Sequence, residues 1–231
     1  MNSIHSTAFT AGKGFLLALL LWSTGCQKED KPHKGLHHYR QVNLVANDDE
    51  YAKPVHEDKN LLNAWGLVFS PNGLAWIAAQ EGHVSTIFNS EGGTVLPPVH
   101  IPSPGNLDGD GNPTGIVFNP EVADFIIPSG NTTDPTGARF IFAGVDGVIS
   151  AWNGTWGEHA YRKFVTTGVY TGLAFAKRGD ANLLYGANFK TGKIDVWDKD
   201  WNTVSGMAFT DPDLPGGYAP FNVQAIGEKL Y

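Results

Sequence analysis

The sequence predicts an all-β protein of the β-propeller class, and three observations predict it. A unit of strands and turns occurs three times at a spacing of roughly 50 residues, within the range of four-stranded propeller blades. Turn-forming residues separate the apolar runs, and the 231 residues include 28 Gly and 14 Pro. No sustained 3.6-residue period follows the first 25 residues, so almost no helix is expected.

Each copy of the unit has the same strand order. A short strand with one glycine comes first, at residues 66–69, 115–118 and 172–175. An apolar run follows, and then a strand that ends on an aromatic side chain: 74–79 and 84–88, 139–143 and 148–152, 183–187 and 194–197. Glycines supply the positive φ that tight turns need, at Gly73, Gly147, Gly192 and Gly227. An ordinary β-sandwich with Greek-key connections is the alternative, which three copies in one order disfavour.

The first 25 residues have the pattern of an export signal. A run of apolar residues at 14–22 follows Lys13, and it is too short to cross a bilayer as a helix. The run ends at Ser23-Thr24-Gly25-Cys26, which resembles a bacterial lipoprotein processing site with Ser23 in place of the usual leucine. We therefore expect a signal peptide at 1–25, lipid attachment at Cys26, a disordered tether at 26–38 and a propeller domain at 39–231.

The residues after Cys26 give an indication of the cellular location. No aspartate follows the cysteine directly, which favours the outer membrane, and Gln27-Lys28-Glu29-Asp30 resembles an acidic tag for surface export. A solvated tether is the alternative reading of these charges. The net charge of −7 argues against a nucleic-acid partner, and one cysteine rules out an intrachain disulfide.

An ordered set of motifs supports a resemblance. It comprises residues 60–67, residues 113–119, residues 140–143 with 146–153, residues 186–189 with 194–198, and residues 217–224. The set resembles a family of uncharacterised exported bacterial β-propeller proteins over residues 39–231. The resemblance implies a propeller, six-bladed in the intact form, with no established activity and no catalytic residue to carry over. About three and a half blades are present, so a truncated six-bladed propeller is expected.

Candidate ligand-binding residues follow from the propeller prediction. The start of each blade's first strand faces the central channel, so polar and aromatic residues there form a candidate axial pocket: Asn63, Trp65, Thr114, Tyr170, Thr171, Asn222 and Gln224. Polar groups with aromatic walls suit a sugar, a lactone or another small metabolite. The alternative is that these residues cap strands and fill the channel.

A candidate calcium loop occurs at Asp108, Asp110 and Asn112, which place oxygen ligands at alternate residues. Pro113 and Asn119 stand where an EF-hand has glycine and glutamate, so an EF-hand is excluded. The alternative is a glycine-rich turn between blades. A calcium ion is the only cofactor that the sequence suggests.

The sequence predicts an envelope lipoprotein, anchored to the membrane by lipid, whose propeller binds a small molecule, a sugar or a protein without catalysis. The prediction rests on the anchor, the repeats and the absence of catalytic motifs. A calcium-dependent propeller hydrolase or lactonase is the alternative, with Asp108 and Asp110 near the metal. A nonfunctional remnant is a third possibility.

Overall fold

A computed structural model describes residues 40–50, 53–207, 209 and 211–231. Residues Gln41–Tyr231 form one compact unit. The predicted signal peptide, Cys26 and the tether at 26–38 lie outside the described residues. Within the described ranges, no helix is both long enough and apolar enough to cross a membrane.

The regular secondary structure of the described residues is almost entirely β-strand, as predicted, with one short 3-10 helix at Gly154–Trp156. The strands are β1 (Val45–Ala46), β2 (His56–Glu57), β3 (Ala64–Phe69), β4 (Ala75–Ala79), β5 (Val84–Phe88), β6 (Thr94–His100), β7 (Pro113–Phe118), β8 (Ile126–Ile127), β9 (Thr136–Gly137), β10 (Phe140–Gly144), β11 (Val148–Trp152), β12 (Tyr161–Val165), β13 (Tyr170–Arg178), β14 (Ala181–Asn188), β15 (Lys193–Asp198), β16 (Ala225–Ile226) and β17 (Lys229–Leu230).

Three larger antiparallel sheets follow one another along the chain. Sheet 1 has the order β3-β4-β5-β6, sheet 2 has β7-β10-β11-β12, and sheet 3 has β13-β14-β15. Each is a meander of consecutive strands, apart from the β8–β9 hairpin inserted between β7 and β10. None of these sheets closes on itself. The all-β prediction is confirmed, and the described strands have no Greek-key order of the kind that a sandwich predicts.

The first strands of the three sheets, β3, β7 and β13, share one local design. The third residue of each is glycine: Gly66, Gly115 and Gly172. In each case the strand ladder shifts register around the glycine: between Ala64 and Leu67 in β3, between Pro113 and Gly115 in β7, and between Tyr170 and Gly172 in β13. Such a β-bulge leaves one residue unpaired and re-aims its side chain.

These glycines let the first strands of successive sheets approach closely. A Cβ on Gly66 would lie 2.5 Å from the Thr114 carbonyl oxygen, and one on Gly115 would lie 2.6 Å from the Leu173 Cβ. A Cβ on Gly172 would overlap Asn222 in the segment after sheet 3. Any side chain there would push neighbouring strands apart, so glycine at this position keeps β3, β7, β13 and the segment at Asn222 in a continuous series.

Apolar cores lie between successive sheets. Along β10, Phe140 and Phe142 pack into the core shared with sheet 1, whereas Ile141 and Ala143 pack into the core shared with sheet 3. Because successive side chains of a strand point to opposite faces, a strand between two cores must be apolar throughout. A third, smaller core joins sheet 3 to the segment around Val223.

The β10–β11 turn connects two parts of sheet 2 through one carboxylate. Gly147 has φ of +81°, which glycine adopts without strain, and the three other turn glycines predicted from sequence also have positive φ. The Asp146 carboxylate accepts hydrogen bonds from the backbone N–H groups of Val148 at 3.2 Å and Asn112 at 3.0 Å. The turn is thereby tied to the residue that precedes β7.

Candidate functional site

In each first strand, the bulge leaves the second residue without a partner in the strand ladder. In sheet 2, Pro113 and Gly115 pair with Gly144 and Ala143, so Thr114 has no ladder partner. In sheet 3, Thr171 is passed over in the same way between Tyr170 and Gly172. In sheet 1 the shift spans Trp65. Bulges are frequent beside binding sites because they redirect a side chain out of the regular pleat.

The bulge residues line a cavity of about 640 Å³ between the first strands and residues 221–225, here called the first-strand cavity. This volume lies within the range of small-molecule sites. Five of the seven residues predicted for an axial pocket line it: Trp65, Thr114, Thr171, Asn222 and Gln224. The structure therefore brings together side chains that are separated by up to about 160 residues in the sequence.

The lining of the first-strand cavity is uncharged. Among the described residues that form its wall, none has an ionisable side chain. The polar groups are hydroxyls, amides and strand backbone, and the remainder is apolar, including Leu67, Ile116 and Phe175. The described wall thus contains neither a general base nor a carboxylate that could ligate a metal ion.

The two threonines of the cavity differ in their hydrogen bonding. The Thr114 hydroxyl donates its single hydrogen to the Tyr170 carbonyl oxygen at 2.6 Å, and the Ala143 carbonyl oxygen lies 3.1 Å from the same hydroxyl. The Thr171 hydroxyl is buried and has no hydrogen-bond partner within the described structure. A buried hydroxyl without a partner costs about 1–3 kcal/mol. Other buried hydroxyls without partners, such as that of Ser150, lie outside the cavity wall.

Asn63 and Tyr170 were also predicted to line the axial pocket, and neither belongs to the wall of this cavity. Tyr170 is almost fully buried, and its hydroxyl donates to Asp195 Oδ2 at 2.8 Å, an oxygen that also accepts from Asn188 Nδ2 at 2.8 Å. Burial raises the pKa of the Tyr170 hydroxyl. Tyr170 therefore links β13 to β14 and β15 through hydrogen bonds, whereas Thr171, which the strand ladder passes over, lines the cavity.

Asn63 lies beside the cavity and holds one of its residues. Its Oδ1 accepts from Trp65 Nε1 at 3.2 Å, and its Nδ2 donates to Gln80 Oε1 at 2.8 Å. Gln80 Nε2 in turn donates to Asn112 Oδ1 at 2.6 Å. This chain of side-chain amides, here called the amide chain, links sheet 1 to the start of sheet 2 and orients the Trp65 indole.

The predicted calcium residues lie apart from the cavity wall. Asp110 has φ of +63°, and its Oδ2 accepts from Asn106 Nδ2 at 2.9 Å. The Asn112 side chain belongs to the amide chain. In the part of the chain that the structure describes, no group of three or more His, Cys, Asp or Glu side chains is arranged to hold a metal ion. Calcium at Asp108, Asp110 and Asn112 stays a prediction.

Sequence reasoning missed two exposed aromatic residues, one in the cavity wall and one packed against it. Phe221 lines the cavity and lies 5.7 Å from Trp65 between ring centroids, and Phe189 lies 6.0 Å from Phe221. A signal for Phe221 was present in the sequence: Pro220-Phe221-Asn222-Val223 aligns with Pro113-Thr114-Gly115-Ile116, which puts Phe221 at the Thr114 position. Phe189 directly follows β14, the position that Gln80 and Val145 occupy after β4 and β10, and neither of those residues is aromatic.

Comparison with known proteins gives relatives without assigned activity. Two uncharacterised proteins of Acanthamoeba polyphaga mimivirus are 28% identical over 212 residues and 29% identical over 195 residues. The matches cover 87% and 81% of this chain but 53% and 46% of the relatives, so the chain spans about half of their length. No protein-family model matches the sequence. A solved structure, the hydrazine synthase of Kuenenia stuttgartiensis, is similar to this chain with a TM-score of 0.48 and a sequence identity of 17%. The similarity covers 75% of this chain and 42% of the hydrazine synthase chain.

These relatives correct one prediction. Membership of a family of exported bacterial propeller proteins is wrong, because the relatives found are viral and no family model matches. The motifs that suggested the family are turn glycines, strand-end aromatics and bulge residues, which many all-β repeat proteins need for structural reasons. The hydrazine synthase similarity is too weak to support any inference about this chain.

Proposed function

We propose that residues 41–231 form propeller-type blades around the first-strand cavity and bind a neutral small molecule there without catalysis. Three features support the blade arrangement: the meander order of each large sheet, the shared glycine and bulge of the first strands, and the close approach of those strands in sequence order. The same features leave a cavity where the first strands converge.

The uncharged wall of the first-strand cavity is the observation on which the binding proposal rests. An ionic ligand would lose its hydration there without gaining a counter-charge, which is costly in a low-dielectric site. A neutral ligand with hydrogen-bonding groups would instead use the amides of Asn222 and Gln224, and it would supply a partner for the Thr171 hydroxyl. Hydrolysis of a lactone would need a base or a metal ligand that the described wall lacks.

The Thr171→Val substitution tests the proposal. Valine keeps the shape of threonine, and the hydroxyl it removes makes no hydrogen bond, so we expect the free energy of unfolding to stay the same or rise by about 1 kcal/mol. Ligand-induced stabilisation should fall. The measurement is the melting temperature of the full chain with a panel of neutral metabolites and matched anionic and cationic ones.

The matched control is Thr114→Val, which removes the hydrogen bond to the Tyr170 carbonyl oxygen. We expect this variant to lose about 1–2 kcal/mol of stability without ligand. Stabilisation of the wild type by charged compounds alone, or turnover of a lactone or phosphoester, would contradict the proposal.

We also propose that the chain is tethered to a membrane by lipid on Cys26, at the outer membrane and with the domain exposed to solvent. The support is the sequence alone: a short apolar segment followed by Ser23-Thr24-Gly25 and the single cysteine. We expect an alkyne-labelled palmitate fed to a Gram-negative expression host to label the wild type and the Ser23→Leu variant. The Cys26→Ser variant should remain unlabelled, and an unlabelled wild type would refute the anchor.

A further inference from the structure

Three exposed aromatic side chains form a patch beside the first-strand cavity, and two of them, Trp65 and Phe221, line its wall. Trp65, Phe189 and Phe221, here called the aromatic rim, are 39%, 46% and 57% exposed. Phe221 lies between the other two, with ring centroids 5.7 Å from Trp65 and 6.0 Å from Phe189. They come from β3, the loop after β14 and the segment after sheet 3. A contiguous exposed aromatic patch at a cavity is a marker of ligand contact.

The Trp65 indole is held in place by polar contacts. Its Nε1 donates to Asn63 Oδ1, and Asn63 is fixed in turn by Gln80. An exposed tryptophan does not need these hydrogen bonds in order to pack. They would favour ligand binding, because a side chain that is already ordered loses less entropy when a ligand stacks on it. The amide chain also places hydrogen-bond donors and acceptors at the side of the platform.

We propose that the aromatic rim and the first-strand cavity bind a neutral pyranose glycan, an inference that rests on the binding function proposed above. A pyranose ring has a flat face of C–H groups that packs on an aromatic ring, and its edge has hydroxyls that both donate and accept. Side-chain amides have the same dual capacity. An aliphatic ligand would leave the amide groups of Asn222 and Gln224 and the Thr171 hydroxyl without partners, at a cost in affinity.

The charges near the rim favour a neutral glycan over an acidic one. The Glu81 carboxylate approaches Asn63 Nδ2 at 3.4 Å, so negative charge lies beside the platform. The Lys190 ammonium, next to Phe189, donates to the Thr167 carbonyl oxygen at 3.0 Å. The cavity wall itself adds no positive charge among the described residues. A uronic acid residue would therefore meet no cation inside the cavity and would be repelled by Glu81.

The experiment is calorimetric titration of the full chain with cellotetraose, chitotetraose and the C6-oxidised analogue of cellotetraose, β-1,4-linked tetraglucuronate. We expect a neutral tetrasaccharide to bind with a dissociation constant in the micromolar to millimolar range, and tetraglucuronate to bind about tenfold more weakly or not at all. Binding should change the tryptophan fluorescence, because Trp65 would pass from water to a sugar face.

Substitutions in the aromatic rim give the decisive comparison. Trp65→Ala should weaken binding by about tenfold or more, Phe221→Ala by about threefold, and Trp65→Phe should give an intermediate affinity. The matched control is Phe69→Ala, because Phe69 is an exposed aromatic of the same strand that does not line the cavity. This variant should bind as the wild type does. Trp65→Phe keeps the test valid if Trp65→Ala fails to fold.

The outcomes separate this inference from the binding proposal. If no neutral tetrasaccharide binds at millimolar concentration, but adenosine or indole binds and loses affinity in Trp65→Ala and Thr171→Val, the cavity is a binding site and the glycan inference is wrong. If none of these probes binds, both fail. Equal affinity for cellotetraose in Trp65→Ala and the wild type also overturns the glycan inference.

Discussion

Replacing Trp76 with alanine is expected to lower the free energy of unfolding by about 3–5 kcal/mol, the range for buried large aromatic residues. Trp76 lies on β4, is 2% exposed, and stacks on Phe140 of sheet 2 with ring centroids 3.7 Å apart. It also contacts Trp152 at 4.9 Å. Alanine would leave a cavity between sheets 1 and 2 that a rigid interface of aromatic rings cannot fill. Urea unfolding followed by circular dichroism measures the loss.

The control for this prediction is again Phe69→Ala, which truncates an exposed aromatic side chain of the same sheet. We expect it to change the free energy of unfolding by less than about 1 kcal/mol. A loss of under 1 kcal/mol for Trp76→Ala would mean that sheets 1 and 2 do not share the core described here.

Gly115→Ala is the second substitution with a large expected effect, although it adds one methyl group. The new Cβ would lie 2.6 Å from the Leu173 Cβ and 2.8 Å from the Leu173 backbone nitrogen. The backbone of β13 cannot move away without disturbing the core between sheets 2 and 3, so we expect a loss of about 3 kcal/mol. Binding at the first-strand cavity should weaken as well, since β7 and β13 form two of its walls.

Gly105→Ala is the control, and we expect it to change the free energy of unfolding in the opposite direction. A Cβ on Gly105 would meet nothing within 4 Å, and Gly105 is not among the glycines with positive φ. Alanine there should stabilise the protein slightly, by up to about 1 kcal/mol, through the lower entropy of the unfolded chain. Equal melting temperatures for Gly115→Ala and Gly105→Ala would contradict the close approach of β7 and β13.

Much of the fold could be predicted because its determinants are local in the sequence. The apolar run at 140–143 and the turn at Asp146-Gly147 define the β10–β11 hairpin without reference to the remainder of the chain. The first strands were recognised by their glycines, and each glycine occupies the same place in β3, β7 and β13. The repeat therefore carried information on how strands are ordered within each sheet.

The outer strands and part of the site were not predictable in the same way. β6 contains Pro97-Pro98 and is largely exposed, so it has neither the apolar run nor the alternation that marks a strand. It forms because its backbone pairs with β5, a tertiary effect. Similarly, Thr171 lines the first-strand cavity and Tyr170 does not, and the register shift between Tyr170 and Gly172 is invisible in composition or period.

The placing of one apolar core between each pair of neighbouring sheets has a consequence for how such chains vary in length. Each sheet packs only against the sheet before it and the sheet after it. One more repeat therefore requires a single compatible new interface between sheets and leaves the existing interfaces unchanged. Gene duplication can thus extend the array stepwise.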